Sequence, residues 1–211
     1  MSELWADALL FDSDGVLVDS DAAVLDAWDA WAVHWDLDPA VVGPLVHGTP
    51  SRQTISRFID PLHQAEALTM IDRMELETIS QVQALPGAVE LLSGLAPGSW
   101  AIVTSGTSPL ALGRLRAAGV PVPAVVVTAD DVPRGKPHPE PYLLAASSLG
   151  TPPGRCLVFE DAPAGIASAR AARVGHVVGV NRRNDGVDAF VEDLRSVSVS
   201  GALVRLAGTP G

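Results

Sequence analysis

Five short aliphatic runs constrain this chain more than any other feature of its sequence. They are "ALLF" at 8–11, "WAIVT" at 100–104, "AVVVT" at 124–128, "RCLVF" at 155–159 and "HVVGV" at 176–180. Each is too short for a buried helix, rich in Val, Ile or Leu, and ends near a polar or glycine-bearing turn. That is the signature of strands buried on both faces. Between them lie Ala- and Leu-rich stretches of helical character, such as Pro109 to Ala118 and Pro139 to Ser148. Strands alternating with helices predict an α/β fold, a Rossmann-like parallel sheet with helices on both faces. Ligands of such sheets bind outside the carboxyl ends of the strands.

The interval 18–85 reads differently. It holds no convincing strand, and Val24, Trp28, Trp31 and Trp35 recur at intervals of four, three and four, one face of a helix. We read it as an inserted α-helical cap domain, with 1–17 and 86–211 forming the core. Pro86 marks the return, since it biases Leu85 away from helix. The tail from Gly201 to Gly211 is expected to fray.

Composition narrows the partners. The 211 residues carry a net charge of −11, which disfavours a nucleic-acid backbone or an anionic membrane surface. No apolar run approaches the about 20 residues that span a bilayer, and the opening residues lack the basic and apolar regions of a signal peptide. Cys156 is the single cysteine, so no intrachain disulfide can form and a reducing, cytoplasmic setting is expected.

The strand ends carry the chemistry. Asp12 and Asp14 follow the first run, Thr104 and Ser105 end the second, Lys136 lies a short loop beyond the third, and Glu160 and Asp161 end the fourth. Carboxylates gathered at one sheet edge repel one another. A hard divalent cation with oxygen ligands, Mg²⁺, relieves that repulsion, and Lys136 adds a further positive charge. Such a cluster suits a phosphoryl group, whose oxygens need cations and donors on several sides.

The motifs "FDSDGVLVDS", "AIVTSGT", "RGKPHPEPY" and "VFEDAPAGIASARAA" occur in the order and spacing of the haloacid dehalogenase superfamily, in its branch with a helical cap after the first strand. The resemblance covers residues from about 7 to 181. The segments "AWDAWAVHW", "VHGTPSRQTISRF" and "ALPGAVELL" are similar to sugar-phosphate phosphatases of the hexitol-phosphatase type. The resemblance implies a nucleophilic Asp12 that forms a phospho-aspartate, and Asp14 as general acid and base. It implies Mg²⁺ held by Asp12, the Asp14 carbonyl and Asp161, with Glu160 beside the metal. Thr104, the Ser105 amide and Lys136 would hold the phosphoryl oxygens. His47, Gly48 and Arg52 fall in the cap loop expected to touch the substrate. Two departures stand out. Ser13 replaces an apolar residue, with its hydroxyl expected to bond locally. Val24 stands where β-phosphoglucomutases carry a histidine, which disfavours the alternative of a phosphosugar mutase. The expected substrate is a small sugar or sugar-alcohol phosphate, and the chain is expected to act as a monomer or weak homodimer.

Overall fold

In a computed structural model, which describes residues 2–46 and 49–207, a six-stranded parallel sheet forms the centre of the molecule. Its strands are β2 (Ala8–Phe11), β5 (Trp100–Val103), β6 (Val126–Val127), β7 (Cys156–Glu160), β8 (His176–Val180) and β9 (Ala189–Val191). Their spatial order is β6-β5-β2-β7-β8-β9. The strand carrying the two aspartates is therefore central, with Phe11 opposite Ile102 on one side and Phe159 on the other. The run at 124–128 contributes only the two residues of β6, and β9 had no counterpart among the five runs.

The alternation of strand side chains divides the core into two layers. Leu9, Phe11, Ile102, Leu157 and Phe159 face one side, where Phe11 stacks on Phe159 at 4.8 Å between ring centroids. Helices α5 (Ala88–Ser93) and α6 (Ser108–Ala117) cover that side through Leu92 and Leu115. Ala8, Leu10, Ala101, Val103 and Val158 face the other, beneath α7 (Glu140–Ser148) and α8 (Pro163–Ala171). Both faces are dry, which is why the strands read as continuous apolar runs rather than alternating ones.

Of the tail expected to fray, residues 201–207 are ordered, and 208–211 lie outside the described residues. Strand β11 (Leu203–Leu206) pairs antiparallel with both β1 (Ser2–Trp5) and β10 (Val197–Ser200). Val204 and Leu206 are buried against the sheet layer that holds Phe11. Glycine and alanine content misled because alternate apolar positions, Val197, Val204 and Leu206, still supply one buried face.

Between β2 and β5 the chain leaves the sheet. Helices α1 (Asp21–His34), α2 (Pro39–Val42), α3 (Ser51–Ile55) and α4 (Gln64–Glu77) surround their own apolar cluster of Val24, Trp28, Trp31, Val42, Ile55 and Ile71. The Trp31 indole N–H donates to the Ala67 carbonyl at 2.9 Å, tying α1 to α4. Trp35, just past the end of α1, is half-buried against this cluster. The interval does contain strands, contrary to expectation: β3 (Val18–Asp19) and β4 (Gln83–Ala84) pair antiparallel where the chain departs and returns. Two-residue strands leave no periodicity to detect.

Candidate active site

At the carboxyl end of β2 the Asp12 amide still continues the sheet, donating to the Phe159 carbonyl at 3.0 Å. The chain then folds tightly. The Ser13 carbonyl accepts from the amides of Leu17 and Val18, and Gly15, at φ 81°, donates to the Val18 carbonyl. A side chain at Gly15 would collide with the Asp161 carboxylate, so glycine is needed both for the turn and for the approach of β7's end. The Ser13 hydroxyl is buried with no hydrogen-bond partner among the described residues, so the local bond expected for it does not form there.

Four buried side chains converge beside this turn. Lys136 Nζ donates to Asp12 Oδ1 at 2.6 Å, to Glu160 Oε1 at 2.6 Å and to the Val103 carbonyl at 3.0 Å. An ammonium has three donors, and all are used. Glu160 accepts in addition from the Tyr142 hydroxyl at 2.8 Å, and its other oxygen accepts from the amides of Asp161 and Ala162 that lead into α8. With both oxygens so occupied, Glu160 organises the cluster and caps the approach to α8. Gly165 completes this arrangement, since a Cβ there would overlap the Glu160 carboxylate.

Oxygens of Asp12, Glu160 and Asp161 can lie within 4.8 Å of one another. Burial, reinforced by the Glu160 charge, pushes the Asp12 carboxyl well above its ordinary range against the opposing pull of Lys136. Asp161 is pushed up to about 7 by burial and Glu160, with Arg182 and Lys136 opposing. Burial disfavours the charged form of Lys136, but Asp12 and Glu160 outweigh it and hold the ammonium protonated. An excess of buried carboxylate over local cation, built from hard oxygen donors, is the chemistry a divalent metal ion satisfies.

Thr104 is buried at the end of β5, its amide donating to the Val127 carbonyl and its hydroxyl accepting from the Gly106 amide at 3.1 Å. Thr104, Ser105, Asp12, Asp14 and Asp161 all line one cleft between the sheet end and the helical insertion. The insertion contributes Val24, Trp28, Val46, Thr49, Ser51 and Glu75 to the same cleft. Arg52 is exposed and lines a neighbouring cavity beside Asp72 and Asp130, sharing Ser51 and Ser105 with the first. His47 and Gly48 lie outside the described residues.

Several site residues escaped the sequence reading. Arg114 Nη1 donates to Asp14 Oδ1 at 2.9 Å and Nη2 to Glu75 Oε1 at 3.3 Å, while the Ser20 hydroxyl donates to the same Asp14 oxygen at 2.5 Å. Arg182 Nη1 donates to Asp161 Oδ2 at 2.8 Å and Nη2 to Asp21. Their signals were present. Arg114 falls four residues after Leu110 on the buried stripe of α6, and Glu75 continues the stripe of Ala67 and Ile71 on α4. An ionised group on an apolar stripe asks for a buried partner. Arg182 follows the end of β8, as the other site groups follow theirs.

Comparison with known proteins agrees with this geometry. A family model described as haloacid dehalogenase-like hydrolase matches residues 6–173. Hexitol phosphatase A of Escherichia coli strain K12 is 42% identical over 90% of this chain and 93% of its own length. Glycerol-1-phosphate phosphohydrolase 2 of Saccharomyces cerevisiae is 31% identical over 94% and 86%. Among solved structures, a hydrolase from Pseudomonas syringae superposes with a TM-score of 0.79 at 26% identity, over 89% of this chain and 94% of that one. With a central strand ending in two aspartates, a buried lysine bridging two carboxylates, and relatives matched along nearly the whole length, the chain belongs to the haloacid dehalogenase-like hydrolases.

Proposed function

We propose that the protein is a Mg²⁺-dependent phosphatase of small sugar or sugar-alcohol phosphates, working through a phospho-aspartate on Asp12, with residues 18–85 acting as a cap. One observation carries the reading: Asp12 is buried at the end of the central strand, bridged by Lys136 to Glu160, and faces a cleft that it shares with Asp14. The names of the relatives support the substrate class, since they act on hexitol and glycerol phosphates.

In this reading an Asp12 carboxylate oxygen attacks phosphorus and the bond to the leaving alkoxide breaks. Asp14 delivers a proton to that oxygen, then takes one from the water that cleaves the acyl phosphate. Asp12, Asp161 and the Asp14 carbonyl would hold the metal, which supplies positive charge for the phosphoryl oxygens. Lys136 keeps Asp12 in place and favours its anionic form against the push of burial, and Thr104 and Ser105 face the phosphoryl oxygens. Val24, apolar in the cleft wall, places no proton-transfer group where the related mutases have one, so hydrolysis is favoured over mutase chemistry. We further read the chain as cytoplasmic and monomeric or weakly dimeric; among the described residues no helix is long and apolar enough to cross a membrane.

The test is phosphate release across a panel of sugar and polyol phosphates, with Mg²⁺ and with chelator, for the wild type and Asp12→Asn. Removing a covalent nucleophile costs about four orders of magnitude or more in kcat. Retained turnover by folded Asp12→Asn, or full activity in chelator, overturns the mechanism. An isomeric phosphosugar formed without free phosphate would instead identify a mutase.

A further inference from the structure

Asp14 is held in an asymmetric way. Its Oδ1 receives two hydrogen bonds, from the Ser20 hydroxyl and from Arg114 Nη1, while Oδ2 has no hydrogen bond among the described residues. The side chain is about a third exposed and borders the cleft, whereas Arg114 is almost wholly buried. Arg114 comes from α6 of the core, and its second arm reaches Glu75, which comes from α4 of the helical insertion. Both bonded nitrogens go to carboxylates, and the remaining Nε is buried with no partner among the described residues.

We infer that Arg114 is a positioning residue: with Ser20 it pins Oδ1 of Asp14 so that Oδ2 is the oxygen that gives and takes the proton, and Glu75 of the insertion holds Arg114 in that pose. The inference rests on the proton-transfer role proposed above for Asp14. An oxygen that already accepts two donors is a poor place for a transferable proton, so the proton that passes to the leaving oxygen resides on Oδ2. A guanidinium suits this task because its planar fork spans two carboxylates with fixed geometry, which a lysine cannot do. Glu75 matters because burial would otherwise leave Arg114 with a single counter-charge and freedom to swing. The device also links the insertion to the reaction, since one carboxylate of the relay belongs to each body.

Leaving-group dependence provides the test. A polyol phosphate expels an alkoxide that needs a proton, whereas p-nitrophenyl phosphate expels a stable phenolate that does not. Rapid-quench measurement of phosphoryl-enzyme formation should be made with glycerol 1-phosphate and p-nitrophenyl phosphate. The proteins are the wild type, Asp14→Asn, Arg114→Met, Arg114→Lys and the double variant Arg114→Met/Glu75→Leu, which removes the buried pair together and so protects the fold. Misplacing a general acid costs about 10²-fold or more. Arg114→Met and the double variant should lose about that much in phosphorylation by glycerol 1-phosphate, with KM little changed. Phosphorylation by p-nitrophenyl phosphate should stay within about threefold of wild type, and Arg114→Lys should recover part of the loss. A raised KM for glycerol 1-phosphate with unchanged kcat would show that Arg114 binds substrate, and would overturn the inference. Equal losses on both substrates would overturn it in favour of a purely structural role. If Asp14→Asn itself shows no leaving-group dependence, the role of Asp14 fails and the inference falls with it. If Asp14→Asn shows that dependence and the Arg114 variants do not, the inference alone fails.

Discussion

The sheet end and the helical insertion are built on opposite physical plans. At the sheet end, Asp12, Lys136, Glu160 and Asp161 are all buried, and the bonds of Lys136 and Glu160 run to neighbours contributed by different strands and helices. Desolvation costs are high there, and charge pairing offsets them. The insertion is an aliphatic and tryptophan cluster, and it reaches the core's charged groups through Glu75 to Arg114 and Asp21 to Arg182. Position is thus held by electrostatics at the site of chemistry and by apolar packing in the part that covers it. A rigid constellation suits phosphoryl transfer, while a separately packed cover can differ in shape without disturbing it.

The comparison can be broken by attacking each plan. Lys136→Met should have the largest effect on stability, because it leaves Asp12 and Glu160 facing each other unpaired. Breaking a buried pair costs about 3–5 kcal/mol, a fall of roughly 10 °C in Tm for a chain of this size. Activity should be lost with it. A Tm within a few degrees of wild type would mean that the carboxylates accept protons and that charge pairing is not what holds this end together.

Trp31→Ala attacks the other plan, removing the largest fully buried side chain of the insertion's cluster and its bond to Ala67. The expected cost is about 3–5 kcal/mol, at the upper end borne locally. Hydrogen exchange should accelerate over α1 and α4 while the amides of β2, β5 and β7 remain protected. Uniform acceleration in both regions would show one cooperative unit and end the contrast.

Glu75 sharpens the boundary between the two. Burial pushes its carboxyl up from 4.5 to about 7, with Arg114 opposing. The folded state therefore keeps the Glu75 proton to a higher pH than the unfolded state. The associated stability is fully present below about pH 4.5 and is lost as pH rises through about 7, roughly 3 kcal/mol in all. Glu75→Gln should flatten the stability profile across that window in urea titrations. A profile unchanged in slope would mean that Glu75 stays ionised with Arg114 throughout. The smallest effect is expected for Ser13→Ala. Its hydroxyl is buried with no partner among the described residues, so removal should leave the denaturation midpoint unchanged or stabilise by up to about 1 kcal/mol. A clear loss of stability would reveal a hydrogen bond that the hydroxyl makes.

What the sequence determined by itself follows from burial. A strand dry on both faces must be aliphatic at every position, so the five runs and the polar groups ending them were legible, and with them Asp12, Asp14, Thr104, Ser105, Lys136, Glu160 and Asp161. Short pairings such as β3 with β4, the edge strand β9 and the tail strand β11 were not legible, because two to four half-covered residues carry no distinguishable period. Tertiary structure alone decided the partners. Arg114 is 100 residues from Asp14, and Arg182 is 161 from Asp21. Ion pairs leave no mark of their distant mate in local sequence; what shows is a charge on an apolar stripe, and only the packing of α4 against α6 says which charge answers it.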